Sequence, residues 1–167
     1  MDALHRDLDH EAMIYMLLNK GADIEERTVR GETLLHSSVT SVVRVRAILQ
    51  RLQHRQKGNF GIDNRDEKGR TALHYAAAAY SSRVMHFLVS HGADILAKDN
   101  KQVTTLHFAV RDPSCVRIAV EGGCDVNSLD NLHRTPYHYA FLFEGPKAKV
   151  VSIIENTLGV KLGAVDI

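Results

Sequence analysis

The sequence predicts an all-α fold, a solenoid of stacked helix–turn–helix pairs joined by short β-hairpin-like loops. Two recurring segments carry this prediction. The first has threonine followed three residues later by histidine, and it begins at Thr33, Thr71, Thr104 and Thr135. The second has glycine, a small residue, aspartate and an aliphatic residue, and it occupies residues 21–24, 92–95 and 123–126. Two elements that keep the same register at a period near 33 residues indicate a repeated unit.

Each repeated element has a physical role at a helix end. The threonines can cap helix starts, and Pro136 occupies a first helical turn, where its missing N–H costs nothing. Apolar runs such as residues 84–89 are followed by Gly21, Gly92 or Gly123, where a helix stop needs a left-handed residue. The interval leaves room for two short antiparallel helices. One such pair cannot bury its apolar face alone, so neighbouring pairs must stack.

The chain resembles the ankyrin repeat, whose signature is a Thr-Pro-Leu-His-x-Ala helix start at a 33-residue period. The resemblance covers about residues 9 to 158 and implies a single domain over residues 1–167. We expect a partial repeat at residues 1–27, followed by repeats at about 28–65, 66–98, 99–129 and 130–167. In the N-terminal repeat only a second helix, from Glu11 to Asn19, is convincing.

The repeats depart from the family pattern at three places. The first full repeat is five residues too long, with the excess between Gln50 and Gly58, and we expect that segment to protrude. The third repeat is two residues short. The family's turn glycine is present as Gly31 and Gly69 but replaced by Gln102 and His133, so we expect the last two hairpin tips to be distorted.

Composition excludes several classes of protein. Hydrophobic residues make up 44% and charged residues 25%, as in an ordinary globular chain, and the net charge is +1. A neutral chain gives no argument for nucleic acid or an anionic membrane as partner. The N-terminus does not resemble a signal peptide, and the chain has only two cysteines. We therefore expect a protein of the cytoplasm or the nucleus.

Histidine and cysteine do not form a recognisable chemical site. In the family, the histidine of the repeat motif hydrogen-bonds the backbone of the neighbouring loop, which implies a structural role for His36, His74, His107 and His138. His86 and His91 are five residues apart, not the three or four that place two ligands on one helix face. Cys115 and Cys124 are interpreted as buried residues. The sequence predicts no catalytic residue, cofactor, metal or small-molecule substrate, so the protein is not expected to be an enzyme.

One stretch of the chain is strongly basic. Residues 33–62 contain no aspartate or glutamate but five Lys or Arg residues, namely Arg44, Arg46, Arg51, Arg55 and Lys57. Apolar residues recur between them at helical spacing, so most of these cations should line the outer face of a long helix. The stretch is interpreted as a solvated helix face, with an acidic protein partner or a nuclear-import signal as the alternatives.

The resemblance implies a module that binds a partner protein through the concave face formed by hairpin tips and first helices. Carried over by register, the expected partner-binding residues are Arg30, Glu32, Glu67, Lys68, Arg70, Lys101, Val103, Leu132, Arg134, Leu142 and Phe143. Asn127 matches the position at which related repeats are substrates for asparaginyl hydroxylation.

Two alternatives to a general binding module stay open. Short ankyrin chains look like the truncated inhibitors of NF-kappa-B transcription factors that some viruses encode. The incomplete end repeats instead suggest a module of a larger enzyme, channel or ubiquitin-ligase adaptor, although Met1 speaks against a missing N-terminal part.

Overall fold

The computed structural model describes residues 12, 16, 20, 23–55, 61–142 and 147–158. Between residues 23 and 158, the described part contains four consecutive helix pairs. The first helices of the pairs are α1 (Leu34–Ser37), α3 (Ala72–Ala78), α5 (Thr105–Ala109) and α7 (Pro136–Leu142). The second helices are α2 (Val42–Arg55), α4 (Ser82–Ser90), α6 (Pro113–Glu121) and α8 (Lys147–Leu158).

The helices form two layers, as the repeat pattern predicted. Each first helix packs on the next first helix, from α1 to α7, and each second helix packs on the next second helix, from α2 to α8. The repeat register predicts that the core contains Leu73, Leu88, Leu106, Phe87 and Tyr137. The core lies between the layers, and the three leucines are buried in it. Phe87 and Tyr137 are only partly buried at its edge. The predicted all-α solenoid is therefore confirmed.

Buried histidines join one repeat to the next. In the first repeat, Nδ1 of His36 accepts the Thr33 N–H at 3.1 Å, so Nε2 carries the ring proton and donates to the Arg70 carbonyl at 3.0 Å. His107 makes the equivalent bond to the Arg134 carbonyl at 3.1 Å. Burial is the main cause that lowers the pKa of both histidines, so each stays neutral and keeps this tautomer. The structural role expected for the motif histidines is therefore confirmed for His36 and His107. For His74, the buried Nε2 atom has no hydrogen-bond partner among the described residues.

The expectation that Gln102 and His133 distort their hairpin tips is wrong. Both residues adopt the left-handed conformation of Gly31 and Gly69, with φ of 61° and 57° against 72° and 77°. Each donates its N–H to the first residue of its tip, at 3.0 Å for Gln102 and 2.9 Å for His133, as Gly69 does at 2.9 Å. Contacts within the tip therefore override the backbone preference of a residue with a Cβ atom, at a cost of roughly 1–2 kcal/mol each.

Several expectations fall on residues outside the described ranges. The described part reaches only isolated positions of the predicted N-terminal helix, and it omits residues 56–60 of the predicted protruding segment. Helix α2 does run to Arg55, and its apolar residues Val45, Ile48 and Leu52 are buried as their spacing predicted. Within the described ranges, no helix is long and apolar enough to span a membrane.

Candidate functional site

Four hairpin tips, residues 28–32, 66–70, 99–103 and 130–134, follow one another along one edge of the stack. Each tip closes on itself through a backbone hydrogen bond between its first and last residues, 2.9 to 3.0 Å long. Each is also bonded to the next tip. These links run from the Glu67 N–H to the Arg30 carbonyl (3.1 Å), from the Asn100 N–H to the Lys68 carbonyl (2.9 Å) and from the Asn131 N–H to the Lys101 carbonyl (2.9 Å).

Arginine side chains strengthen this edge. Arg27 donates to the Arg65 carbonyl at 2.7 Å, and Arg65 donates to the Lys98 carbonyl at 2.6 Å, so each bridges to the following repeat. The tips and the first helices together form a surface that we call the tip face. Its side chains project from a hydrogen-bonded backbone, which fixes their spacing.

A carboxylate, a guanidinium and a phenol form a cluster on the tip face in the second repeat. The Oδ2 atom of buried Asp66 accepts from Arg70 Nε at 2.9 Å and Nη2 at 2.7 Å. The Tyr75 hydroxyl lies 2.8 Å from the same Oδ2 atom and 2.7 Å from Glu32 Oε1 of the preceding repeat. Burial opposes ionisation of Asp66, but the hydrogen bonds from Arg70 and Tyr75 hold its pKa below the usual value. Burial, with the two carboxylates, raises the pKa of Tyr75.

The same cluster recurs in the fourth repeat. Asp130 Oδ2 accepts from Arg134 Nε and Nη2 at 2.9 and 2.8 Å, and the Tyr139 hydroxyl lies 2.8 Å away. These bonds outweigh burial and hold the pKa of Asp130 below its usual value. Burial raises the pKa of Tyr139 to about 12. In both repeats the ionised carboxylate therefore holds its arginine against the tyrosine ring.

Between the two clusters lies an open groove of about 450 Å³. The groove is lined by Val103 and Phe108 of the third repeat and by Arg70 and Arg134 of the two clusters. Its remaining lining residues are Glu67, Lys68, Asp99, Asn100, Lys101 and Tyr139.

The predicted partner-binding residues differ in how far their side chains are exposed to solvent. Exposed side chains belong to Arg30, Glu67, Lys68 and Lys101 at the tips and to Leu132 and Leu142 in the last repeat. Glu32, Arg70 and Arg134 are partly buried in the two clusters, where they already have partners within the chain. Phe143 lies outside the described residues.

Val103 must be corrected as a surface contact. Val103 is only 4% exposed, and its N–H donates to Asp99 Oδ1 at 2.9 Å. Sequence register alone missed Asp99, Phe108 and the two cluster tyrosines. The signal that could have found them is an arginine four residues and a tyrosine nine residues after the tip aspartate, present in two repeats and absent in the one between. Register also missed Phe141, which is 55% exposed beside Leu142.

The described residues offer few groups that could bind a metal or act as a nucleophile. There, no group of three histidine, cysteine, aspartate or glutamate side chains could hold a metal ion. Cys115 and Cys124 are free and buried, and burial raises the pKa of the first thiol to about 12 and of the second to about 11. Both therefore stay protonated near neutral pH and are poor nucleophiles. Asn127 is exposed, and its N–H is bonded to Asp125 at 2.9 Å.

Comparison with known proteins gives a consistent family. The family model described as ankyrin repeats (3 copies) matches residues 1–99. The nuclear factor NF-kappa-B p105 subunit of Gallus gallus is 30% identical over 74% of this chain and 13% of its own length. Inversin of Mus musculus is 27% identical over 62% of this chain and 10% of its own. Palmitoyltransferase AKR1 of Saccharomyces cerevisiae is 33% identical over 58% of this chain and 13% of its own. The chain thus spans only about a tenth of the length of these relatives.

Proposed function

Because the chain belongs to the ankyrin-repeat family, we propose that it is a non-catalytic module that binds a partner protein through the concave face of its hairpin tips and first helices. Ankyrin repeats are generally protein-interaction modules. We also propose a single domain over residues 1–167, with the repeat boundaries predicted from the sequence. The proposed partner is a protein rather than a small molecule, a nucleic acid or a membrane.

The observation that carries the proposal is the hydrogen-bonded edge of the tip face. Arg30, Glu67, Lys68 and Lys101 are exposed on consecutive tips whose backbones are bonded to one another. A surface held in one geometry loses little conformational entropy when a partner binds. Charges of both signs at fixed spacing can select a partner by electrostatic complementarity.

A matched pair of double variants tests this proposal. Lys68→Glu with Lys101→Glu reverses two charges on the tip face. Arg83→Glu with Arg117→Glu reverses two exposed charges on the second helices α4 and α6 and changes the net charge equally. Both variants should fold, because surface changes usually alter stability by less than about 0.5 kcal/mol.

The measurement is quantitative capture from cell extract, with a photo-crosslinking residue placed at exposed position 67 on the tip face or at exposed position 86 on α4. Proteins crosslinked through position 67 should be lost in the tip-face variant and retained in the control variant. Partners that crosslink equally through position 86, or that survive reversal of the tip charges, would refute the proposal.

The similarity to the p105 subunit supports a second candidate, inhibition of an NF-kappa-B transcription factor. It is tested by calorimetric titration with a purified Rel-homology domain, in which the tip-face variant should bind more weakly than the parent. The similarity to a palmitoyltransferase supports the other alternative, a module within a larger enzyme, channel or ubiquitin-ligase adaptor. An open reading frame that continues past Ile167 would favour that alternative.

We also propose that the protein acts in the cytoplasm or the nucleus. The two free, buried cysteines suit a reducing compartment. Imaging of a fluorescently tagged chain tests the proposal, and secretion of the tagged protein would contradict it.

A further inference from the structure

Three consecutive tips carry the same scaffold but differ at two positions. Each has an aspartate, a residue four positions later and an aromatic ring nine positions later. The sets are Asp66, Arg70 and Tyr75; Asp99, Val103 and Phe108; and Asp130, Arg134 and Tyr139. The middle repeat therefore has the carboxylate and the ring but lacks the cation and the phenol.

Asp99 has only part of the bonding that its counterparts have. Its side chain is 6% exposed, and its Oδ1 atom accepts the N–H groups of Lys101 at 2.8 Å and Val103 at 2.9 Å. No donor among the described residues reaches its Oδ2 atom, whereas Asp66 Oδ2 accepts from Arg70 and lies against the Tyr75 hydroxyl. Arg65 donates to two backbone carbonyls instead and makes no ion pair with Asp99. Among the described residues, Asp99 Oδ2 is not one of the fully buried side-chain atoms that lack a partner. It is therefore open to solvent and can accept a hydrogen bond from a donor that enters the groove.

The space for such a donor is the groove beside Asp99. In the flanking repeats the guanidinium carbons of Arg70 and Arg134 lie 4.5 and 4.8 Å from the centroids of the rings beneath them. Phe108 is the ring at the equivalent place, and it packs edge-on against His74 at 5.7 Å. The cluster rings pack edge-on against His36 and His107 in the same manner, at 5.2 and 4.9 Å. The short Val103 side chain leaves the position above Phe108 to the groove.

We propose that this groove binds an arginine side chain of the partner protein. The inserted guanidinium pairs with Asp99 Oδ2 and stacks on Phe108. It comes from the partner chain, and it occupies in the third repeat the position that Arg70 and Arg134 of this chain occupy in the flanking repeats. Arginine fits better than lysine because its planar fork can present two N–H groups to one carboxylate and a flat face to the ring. The inference rests on the proposed function, since the arginine belongs to a protein that lies on the tip face.

The cations around the groove do not outweigh this attraction. Arg70 and Arg134 are already neutralised by Asp66 and Asp130. Lys68 and Lys101 are exposed, so water and salt screen their repulsion, and their long side chains can turn outward. Asp99 is held in place by two backbone hydrogen bonds to its Oδ1 atom, so its carboxylate acts on an inserted cation at short range and in a fixed position.

The test uses small probes and the whole chain, so it needs no identified partner. N-acetyl-arginine amide, the neutral isostere N-acetyl-citrulline amide and N-acetyl-glutamate amide are titrated while amide and aromatic resonances are followed by NMR. The arginine probe should give saturable shifts at residues 99–103 and at the Phe108 ring, with a Kd in roughly the millimolar range. The citrulline probe should bind at least about tenfold more weakly, because it lacks the charge.

Two variants and a control assign the site. Asp99→Asn should remove the saturable shifts, whereas Asp125→Asn, a change at an exposed aspartate of another loop, should leave them. Val103→Arg supplies the guanidinium within the chain. It should also remove the shifts without lowering the melting temperature, because the fold already holds this arrangement in two repeats. This variant keeps the inference testable if Asp99→Asn does not fold.

Either of two results would overturn the inference. One is the absence of saturable shifts with the arginine probe up to about 0.1 M. The other is saturable binding of the glutamate probe that disappears in Lys68→Ala with Lys101→Ala, which would assign the groove to an acidic segment. If the arginine probe fails while crosslinking through position 67 still depends on the tip charges, the inference falls and the proposed function stands. If the arginine probe binds but no protein crosslinks at the tip face, the proposed function falls.

Discussion

Mild acid should destabilise the fold through His74. This side chain is 1% exposed, its Nδ1 atom accepts the Thr71 N–H at 3.1 Å, and its ring packs against Phe108. Burial lowers its pKa to about 4, against 6.5 in an unfolded chain. Protonation would put a charge in the core and remove the acceptor for the Thr71 N–H. The folded state therefore resists a proton that the unfolded chain accepts.

The sign and size of the effect follow from the two pKa values. A histidine with a lowered pKa contributes its full stabilisation above pH 6.5 and loses it as the pH falls from 6.5 towards 4. Complete loss corresponds to about 3 kcal/mol, of which about 2 kcal/mol is lost between pH 7 and pH 4.5. His36 and His107 act in the same direction, because burial lowers their pKa values too.

The assay is urea unfolding at a series of pH values from 7 to 4.5. Titration stops there because Asp66 and Asp130, whose pKa values are lowered, begin to lose their stabilising ionisation only below about pH 4. His74→Gln removes the titrating group, so its free energy of unfolding should fall with pH by about 2 kcal/mol less than that of the parent.

Leu106→Ala is the matched control. Leu106 is fully buried, so the change should cost about 2–5 kcal/mol at every pH and leave the pH dependence unchanged. If His74→Gln keeps the pH dependence of the parent, the acid sensitivity does not come from His74 and the argument from its burial is refuted. Loss of a separable enzymatic activity in His74→Gln, with stability unchanged, would instead contradict the non-catalytic assignment.

Three further predictions concern the tips and the last repeat. Gln102→Gly should raise the free energy of unfolding by up to about 1 kcal/mol, because φ of 61° strains a residue with a Cβ atom. Gly69→Ala should lower the free energy of unfolding, since a Cβ atom there would lie 2.9 Å from a backbone nitrogen. Urea unfolding measures both, and a Gln102→Gly variant that is destabilised as Gly69→Ala is would contradict the strain. Leu142→Ala should change the free energy of unfolding by less than about 0.5 kcal/mol, because the side chain is 61% exposed. It should weaken partner binding by more than about 1 kcal/mol, and Phe143→Ala should do the same if Phe143 shares the exposed apolar patch with Leu142. A large loss of stability in either variant would assign the changed residue to the core. If Asn127 is hydroxylated, peptide mass spectrometry of protein from its native cells should find one added oxygen there, and an unmodified peptide at full occupancy would refute the expectation.

Local pattern predicted the helical layers well. Threonine and histidine three residues apart cap a helix by contacts within one turn, so Thr33, Thr71 and Thr104 predicted the starts of α1, α3 and α5. The apolar spacing in α2 likewise predicted which side chains are buried. Such features depend on residues a few positions apart, and the sequence displays them directly.

The candidate site was predicted less well, because its properties depend on several repeats at once. Register placed Arg70 and Arg134 on the tip face but did not show that Asp66 and Asp130 already neutralise them. It treated Val103 as a contact although the residue is buried. Exposure and pairing are set by side chains of the neighbouring repeat, which no single repeat's pattern contains.

The sequence by itself determined the architecture. A 33-residue unit with capped helix starts cannot bury its apolar face alone, so the repeats are stable only when they stack on one another. Tertiary structure alone decided the conformation of the tips and the free charges on them. Gln102 and His133 adopt a glycine-like backbone because each tip is closed by its own hydrogen bonds and is bonded to the tip before it. Asp99 is left without a counter-charge because the arginines of the flanking repeats are held by their own aspartates. The physical reason is that these energies come from contacts between repeats, which exist only once the stack has formed.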